Sequence, residues 1–285
     1  MTAEVEGLER EALQARLLVL RMLRAAGSGH VGGALSAIDI VTALYFGAMM
    51  IDPARPEDSG RDRFLLSAGH KAMAQYAVLA RRGFFPEELL DSYGALGSRL
   101  AGHPDMHKLP GVEANTGALG HGLAIACGMA IGLRMDGSGR GVYVILGDGE
   151  LPEGSNWEAA AIASHHRLSN LTAFVDANQL QISGPTAEVM DMEPIAEKFA
   201  AFGWATHTID GHDMQAVLDV LAESRWESEK PTAIVARTVK GKGIPAIEGT
   251  LGSHYWKPTG DELDAAEATL RGRLESVGQR AVSGR

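Results

Sequence analysis

Two apolar runs of strand length, about one crossover apart, end on side chains that bring oxygen to the same place. Gly141-Val-Tyr-Val-Ile-Leu146 stops at Gly147-Asp148-Gly149, and Leu171-Thr-Ala-Phe-Val175 stops at Asp176-Ala177-Asn178. The two runs look like parallel strands. A helix-length segment, 155–167, separates them, so the pair reads as a βαβ unit. A right-handed crossover then delivers a carboxylate and an amide to one edge of the sheet.

The same alternation continues on both sides. A short strand at 63–66 precedes a helix at 71–82. After 171–175 come a helix at 193–202, a strand at 205–209, a helix at 213–227 and a strand at 233–238. Helices are also expected at 8–26, 36–48, 86–95 and 261–275. A Gly/Ala-rich helix at 121–135 is expected to be buried on most sides. The fold class is therefore α/β, a parallel sheet with helices on both faces. Residues 8–260 are expected to form one domain, with 261–285 a C-terminal helix and polar tail. No linker, repeat or low-complexity segment is visible.

Composition excludes several function classes. Net charge is −10, so no basic face for nucleic acid is expected. No apolar run reads as a membrane span. The first residues, Met-Thr-Ala-Glu-Val-Glu, lack the basic start and apolar core of a signal peptide, and a cytoplasmic location is the default. The one cysteine, Cys127, lies in a small-residue helix and reads as core. Glycine is abundant, at 35 of 285 residues, and clusters at the ends of apolar runs, where backbone approaches something closely.

Ligands of open α/β sheets bind beyond the carboxyl ends of the strands. The breaks at His30, His70 and His103, the Gly117–Gly122 and Gly147–Gly149 segments, Asn178 and the loop around His254 are candidates to line one pocket. A magnesium ion takes few protein oxygens and the rest from phosphate and water. Asp148, Asn178 and the Leu180 carbonyl would supply three, and the amides beside Gly149 could approach a diphosphate.

With those residues in view, the chain resembles the transketolase family. Gly147-Asp148-Gly149 followed at this distance by Asn178 is similar to the thiamine diphosphate signature. Ser28-Gly29-His30, Ser67-Ala68-Gly69-His70, Ala101-Gly102-His103-Pro104, Thr116-Gly-Ala-Leu-Gly-His-Gly122, Asp210-Gly-His-Asp213 and Lys240-Gly-Lys-Gly243 follow in the family's order. The resemblance covers roughly residues 10–260, the first, diphosphate-binding domain of the longer transketolases.

It implies thiamine diphosphate and Mg²⁺ (or Ca²⁺ or Mn²⁺) as cofactors. His30, His70, His103, His254 and Glu153 would be the catalytic set. His70, Gly117, Ala118, Leu119, Asp148, Gly149, Asn178 and His254 would contact the cofactor, and Asp148, Asn178 and Leu180 the metal. The activity implied is transfer of a two-carbon ketol unit from a ketose phosphate to an aldose phosphate. Because the chain stops after the first domain, the resemblance implies a separate pyrimidine-binding subunit, in an α2β2 assembly. The alternatives are the α subunit of a 2-oxo acid dehydrogenase, or a non-catalytic module that kept the fold. Val31, Ala68, Lys71 and the Tyr255-Trp256 pair depart from the family's pattern, and Tyr255 and Trp256 either narrow the substrate channel or pack on the partner. His121 carries no role, His165 and His166 read as surface or core, and His207 and His212 match no catalytic motif. His212 lies in what reads as a turn opening a helix.

Overall fold

The computed structural model describes residues 3–224 and 229–283. Its elements in chain order are α1 (Ala3–Ala26), α2 (Val31–Ala43), β1 (Arg63–Leu66), α3 (Ala72–Arg82), α4 (Gly122–Met135), β2 (Val142–Gly147), α5 (Gly154–His165), β3 (Leu171–Ala177), the two-residue strands β4 (Leu180–Gln181) and β5 (Gly184–Pro185), α6 (Thr186–Val189), α7 (Ile195–Ala201), β6 (Ala205–Asp210), α8 (Met214–Ser224), β7 (Thr232–Arg237) and α9 (Gly260–Ser283). Five strands form one sheet in the order β1-β2-β3-β7-β6, every neighbour parallel.

Strand side chains alternate between two cores, as the period of two requires. Phe64, Tyr143, Ile145, Phe174 and Ile234 join one core with α1, α2, α3, α8 and α9. Leu65, Val142, Val144, Val175 and Val235 join the other with α4, α5 and α7. β2 and β3 are buried at every residue, which explains their unbroken apolar runs. β6 lies at the sheet edge and is only partly buried.

Several elements differ from the sequence expectation. α2 begins directly after His30 and passes into a π-helical turn, Leu44–Ala48, rather than starting at 36. The expected 86–95 helix is a short 3₁₀ stretch, Glu87–Ser92. The end of the expected 213–227 helix, from 225, lies outside the described residues, as do 284–285 of the expected tail. α9 runs further than 275 and lays Leu263, Ala266, Leu270 and Val277 inward, the first three in the core it shares with α1. α4 is buried on one side only, and Ala124, Gly128 and Met135 on its other side are exposed. Cys127 is buried, as expected.

The window Val31–Ala48 is long and apolar enough to cross a membrane by length and composition, which the run-length reading missed. Its residues are 83% buried inside the protein, so it is a core helix.

His212 does more than open a helix. Its Nδ1 lies 2.7 Å from Asp39 Oδ2, and its Nε2 accepts the Val239 amide at 2.8 Å. Arg16 donates to both Asp39 oxygens at 2.7 Å. Burial alone would raise the Asp39 carboxyl, but Arg16 and His212 hold it well below the usual carboxylate range. This network ties α1 and α2 to the loop after β7, and so fixes where that loop enters the site.

Candidate functional site

The carboxyl ends of β1, β2, β3 and β7 open into a cavity of about 370 Å³. β1 delivers Ala68, His70 and Lys71, β2 delivers Gly147 to Glu150, β3 delivers Asn178 and Leu180, and β7 delivers Lys240. The loop between α3 and α4 brings His103, Gly117 and Leu119, the N-terminus of α2 brings His30 and Gly33, and the turn before α9 brings His254. All four expected histidines, with Asp148, Gly149, Asn178 and Leu180, therefore line one space.

Asp148 follows the residue that pairs in register with Asp176 of the neighbouring strand. Gln179 turns through a left-handed conformation (φ 63°), and its amide donates to Asp148 Oδ2 at 2.5 Å. The Gly149 amide donates to Oδ1 at 2.8 Å. The carboxylate is buried, and among the described residues no side-chain cation lies within ion-pair distance of it. Burial, then the charge of Asp176, pushes its carboxyl up to about 6. The Asn178 Oδ1 accepts the Leu180 amide at 3.2 Å. The Leu180 carbonyl accepts Lys240 Nζ at 2.7 Å, so one of its lone pairs is already engaged.

No three His, Cys, Asp or Glu side chains converge as a metal cluster among the described residues. A carboxylate, an amide oxygen and a carbonyl are nonetheless the hard, mixed donor set that magnesium accepts, with phosphate and water completing it. A buried carboxylate with no side-chain cation in ion-pair contact among the described residues fits a cation. The Oε1 of Gln181, which lines the cavity, is buried without a partner and fits an added polar ligand.

The histidines pack as a cluster. Ring centroids of His30 lie 5.5 Å from His70, 5.4 Å from His254 and 6.2 Å from His103, and His70 is 5.3 Å from His254. Burial is the main cause that lowers three of them. With the Lys71 charge it takes His70 to about 2, with Lys240 it takes His254 to about 4, and with His103 it lowers His30. At neutral pH they are uncharged and each can both donate and accept. His254 Nδ1 and Lys240 Nζ are 3.0 Å apart, so an ammonium at Lys240 makes Nδ1 the acceptor. Burial, then the Lys71 charge, lowers Lys240 to about 8.

This predicts a specific acid sensitivity. An unfolded histidine takes up a proton near pH 6.5, whereas folded His70 stays neutral to far lower pH. The unfolded state therefore binds more protons below 6.5, and stability falls as pH drops. For His70 the loss between pH 7 and 5 is roughly 2 kcal/mol. Urea unfolding of the ligand-free chain should show His70→Gln losing about that much less than the wild type. Equal losses would refute the buried neutral state.

The close approach of loops explains two glycines. Gly117 has φ 141°, and a Cβ there would lie 2.6 Å from the His103 ring. A Cβ on Gly69 would lie 2.6 Å from the Thr116 backbone. Not every expected residue enters the cavity. Ala118 is exposed and does not line it. Glu153 is exposed at the start of α5, beside Gly120, and its side chain caps nothing. His121, His165 and His166 are exposed and do not line the cavity.

Four site residues were given no role from the sequence. Glu150 joins three loops: Oε1 accepts Ser67 Oγ and the Gly120 amide, and Oε2 accepts the Gly147 amide. Lys71 and Asp176 form a buried ion pair at 2.6 Å. Lys240 has no carboxylate within ion-pair distance among the described residues. Its signal was the Lys-Gly-Lys-Gly segment. The Lys71 signal was only a charge beside His70.

Residues 9–272 match the family described as transketolase, thiamine diphosphate binding domain. The chain is 39% identical over 274 residues to an apulose-4-phosphate transketolase subunit of Phocaeicola vulgatus, covering 96% of this chain and 97% of that one. It is 42% identical over 270 residues to the 6-deoxy-6-sulfo-D-fructose transketolase subunit SqwG of a Clostridium species, covering 95% and 98%. Among solved structures, the transketolase of Campylobacter jejuni superposes with a TM-score of 0.85 at 30% identity, over 95% of this chain. The match spans 43% of the length of that transketolase.

Proposed function

The chain belongs to the transketolase family, as its thiamine diphosphate-binding domain, and on that premise we propose that it is the N-terminal subunit of a split transketolase. It would hold the diphosphate half of a site that moves a two-carbon ketol unit from a ketose, or ketose phosphate, to an aldose phosphate. The observation that carries this reading is Asp148 and Asn178, delivered by adjacent parallel strands into the cavity that also holds His30, His70, His103 and His254.

Thiamine diphosphate, when bound, supplies the electron sink for the two-carbon unit. The residues of this chain do the rest. Asp148, Asn178 and the Leu180 carbonyl would hold Mg²⁺, with Ca²⁺ or Mn²⁺ as substitutes. His70 and His254 would face the diphosphate, joined by the ammonium of Lys240, with Gly149 letting the backbone approach it. Gly117 and Leu119 would wall the ring end, with Ala118 and Glu153 at the rim towards the other half. His103, with the neutral His30 and His254, would take and return protons at the hydroxyls of the sugar, work suited to imidazole.

A separate pyrimidine-binding subunit would complete the site, in an α2β2 assembly with each site between chains. Support comes from two relatives that are themselves transketolase subunits and match nearly end to end, against solved transketolases of about twice the length. Ile182 at the cavity and Met190 nearby are exposed by 73% and 54%, apolar surface of the kind a partner covers. Residues 8–260 would supply the cofactor-binding site, with α9 packed against α1 behind it.

The test is reconstitution with a co-expressed pyrimidine-binding subunit, followed by a screen of ketose donors, aldose phosphate acceptors and 2-oxo acids. Ketol transfer is expected from the mixture and from neither component by itself. Transfer by this chain without a partner would overturn the proposal, and so would consumption of a 2-oxo acid alone.

A further inference from the structure

Tyr255 is a large aromatic residue left 55% exposed, although the backbone on both sides of it is pinned. Trp256 is buried, and its backbone exchanges two hydrogen bonds with Gly29, at 2.9 and 3.0 Å. On the other side Ser253 is fully buried, and its Oγ donates to the Thr250 carbonyl at 2.7 Å. A Cβ on Gly32 would come within 2.5 Å of that Oγ, so the turn is seated against the start of α2. Tyr255 is thus presented outward by a rigid frame, at little further cost in order.

Its direction is defined by two contacts. The ring stands edge-on to His30, centroids 4.9 Å apart at 80°. Its hydroxyl lies 2.9 Å from Ser28 Oγ. Neither Tyr255 nor Ser28 lines the cavity itself. Together they wall His30 on its outer side, while His70, His103 and His254 surround its inner side. A sugar chain that leaves the cavity on this side of His30 would meet this wall. The wall offers an aromatic surface and two hydroxyls, and no charge. Such a surface takes C–H groups on the ring and one hydroxyl on the oxygen pair, and sets no cation opposite a phosphate or sulfonate placed there.

We infer that Tyr255, held by Ser28, is a specificity-determining residue that admits sugars whose carbons next to the transferred unit are uncharged and hydroxylated, and limits bulk at that point. The inference rests on the ketol-transfer reading above and names the part of the substrate that this side chain reads.

The test compares wild type, Tyr255→Phe, Tyr255→Gly and Ser28→Ala in the enzyme reconstituted with its partner. Initial rates are measured with straight-chain and branched ketose phosphates, and affinity for the partner is measured in parallel. Tyr255→Phe and Ser28→Ala should each raise donor KM about 3- to 10-fold, the worth of one hydrogen bond. Tyr255→Gly should raise KM for the best donor by about 10-fold or more and relatively favour branched or bulkier donors. In each case the larger change falls on KM rather than kcat. An unaltered donor ranking with weakened partner affinity would make Tyr255 an interface residue and overturn the inference alone. Unaltered KM and ranking in all three variants would do the same. A wild-type mixture without ketol transfer would overturn the functional reading instead, and this inference with it.

Discussion

Asp148→Ala is expected to abolish magnesium-dependent retention of thiamine diphosphate while leaving the fold in place. The carboxylate is the one formal negative charge in the proposed metal set, since Asn178 and Leu180 contribute neutral oxygens. Losing a partner that only orients a ligand costs about 10- to 100-fold in metal affinity, so losing a direct charged ligand should cost at least about 100-fold. The fold should tolerate the change. The ligand-free carboxyl is raised to about 6 because it is buried beside Asp176, which marks it as a strained charge rather than a stabilising one. Among the described residues its two hydrogen bonds are from the Gly149 and Gln179 amides. Desalting the reconstituted complex after loading with cofactor and Mg²⁺, then assaying retained thiamine, measures the first effect. Far-UV circular dichroism and a thermal melt measure the second. Equal retention in variant and wild type would remove Asp148 from the metal site.

The sheet was legible where burial on both faces left one choice of residue type. β2 and β3 show this, because unbroken apolar runs ending in glycine and a polar residue have few other readings. The start of α2 was not legible. The sequence places the start at 36, yet Gly32 and Gly33 are already helical, with Ser253 and the Lys71 side chain so close that a Cβ on either would clash or crowd. Tertiary approach there outweighs local propensity. The 86–95 segment failed in the opposite direction, since its turns close only between residues three apart, as in Leu89 to Pro86 and Tyr93 to Leu90. The β4–β5 hairpin has two residues per strand, too few for any period to show.

In the site, the four histidines were readable because each sits in a short glycine- or serine-flanked break within a segment that resembles the family's. The charged scaffold beneath them was not. Asp39 and His212 are separated by 173 residues, and Lys71 and Asp176 by 105, and no local pattern couples such positions. A lysine next to a loop histidine looks like a solvated charge until the fold buries it.

That buried lysine carries the second large prediction. Lys71→Met is expected to destabilise the protein by about 3–5 kcal/mol, the usual cost of leaving one member of a buried pair behind. Asp176 is fully buried, and Lys71 is only 2% exposed. Lys71 Nζ and Ser36 Oγ both donate to Asp176 Oδ2 at 2.6 Å, and Thr238 Oγ1 donates to Oδ1. Burial alone would raise the Asp176 carboxyl, yet the Lys71 charge and these hydrogen bonds hold it below its ordinary value. Without Lys71 the balance reverses, and the folded carboxyl rises above its unfolded value. The folded variant then binds more protons than the unfolded chain, so its deficit against wild type should be largest at neutral pH and shrink on acidification. Lys71→Met combined with Asp176→Asn should recover much of the loss, because two neutral groups can replace a buried pair at little cost. Denaturant unfolding of wild type and both variants at pH 7 and 5 checks all of this. A deficit under about 1 kcal/mol, or one that does not change with pH, would show that Asp176 does not depend on Lys71. The chemistry should follow the stability: a Cβ on Gly147 would lie 3.4 Å from Lys71 Nζ, so the pair braces the strand end that carries Asp148. The single variant should therefore also retain less thiamine diphosphate, and the double variant should regain part of it.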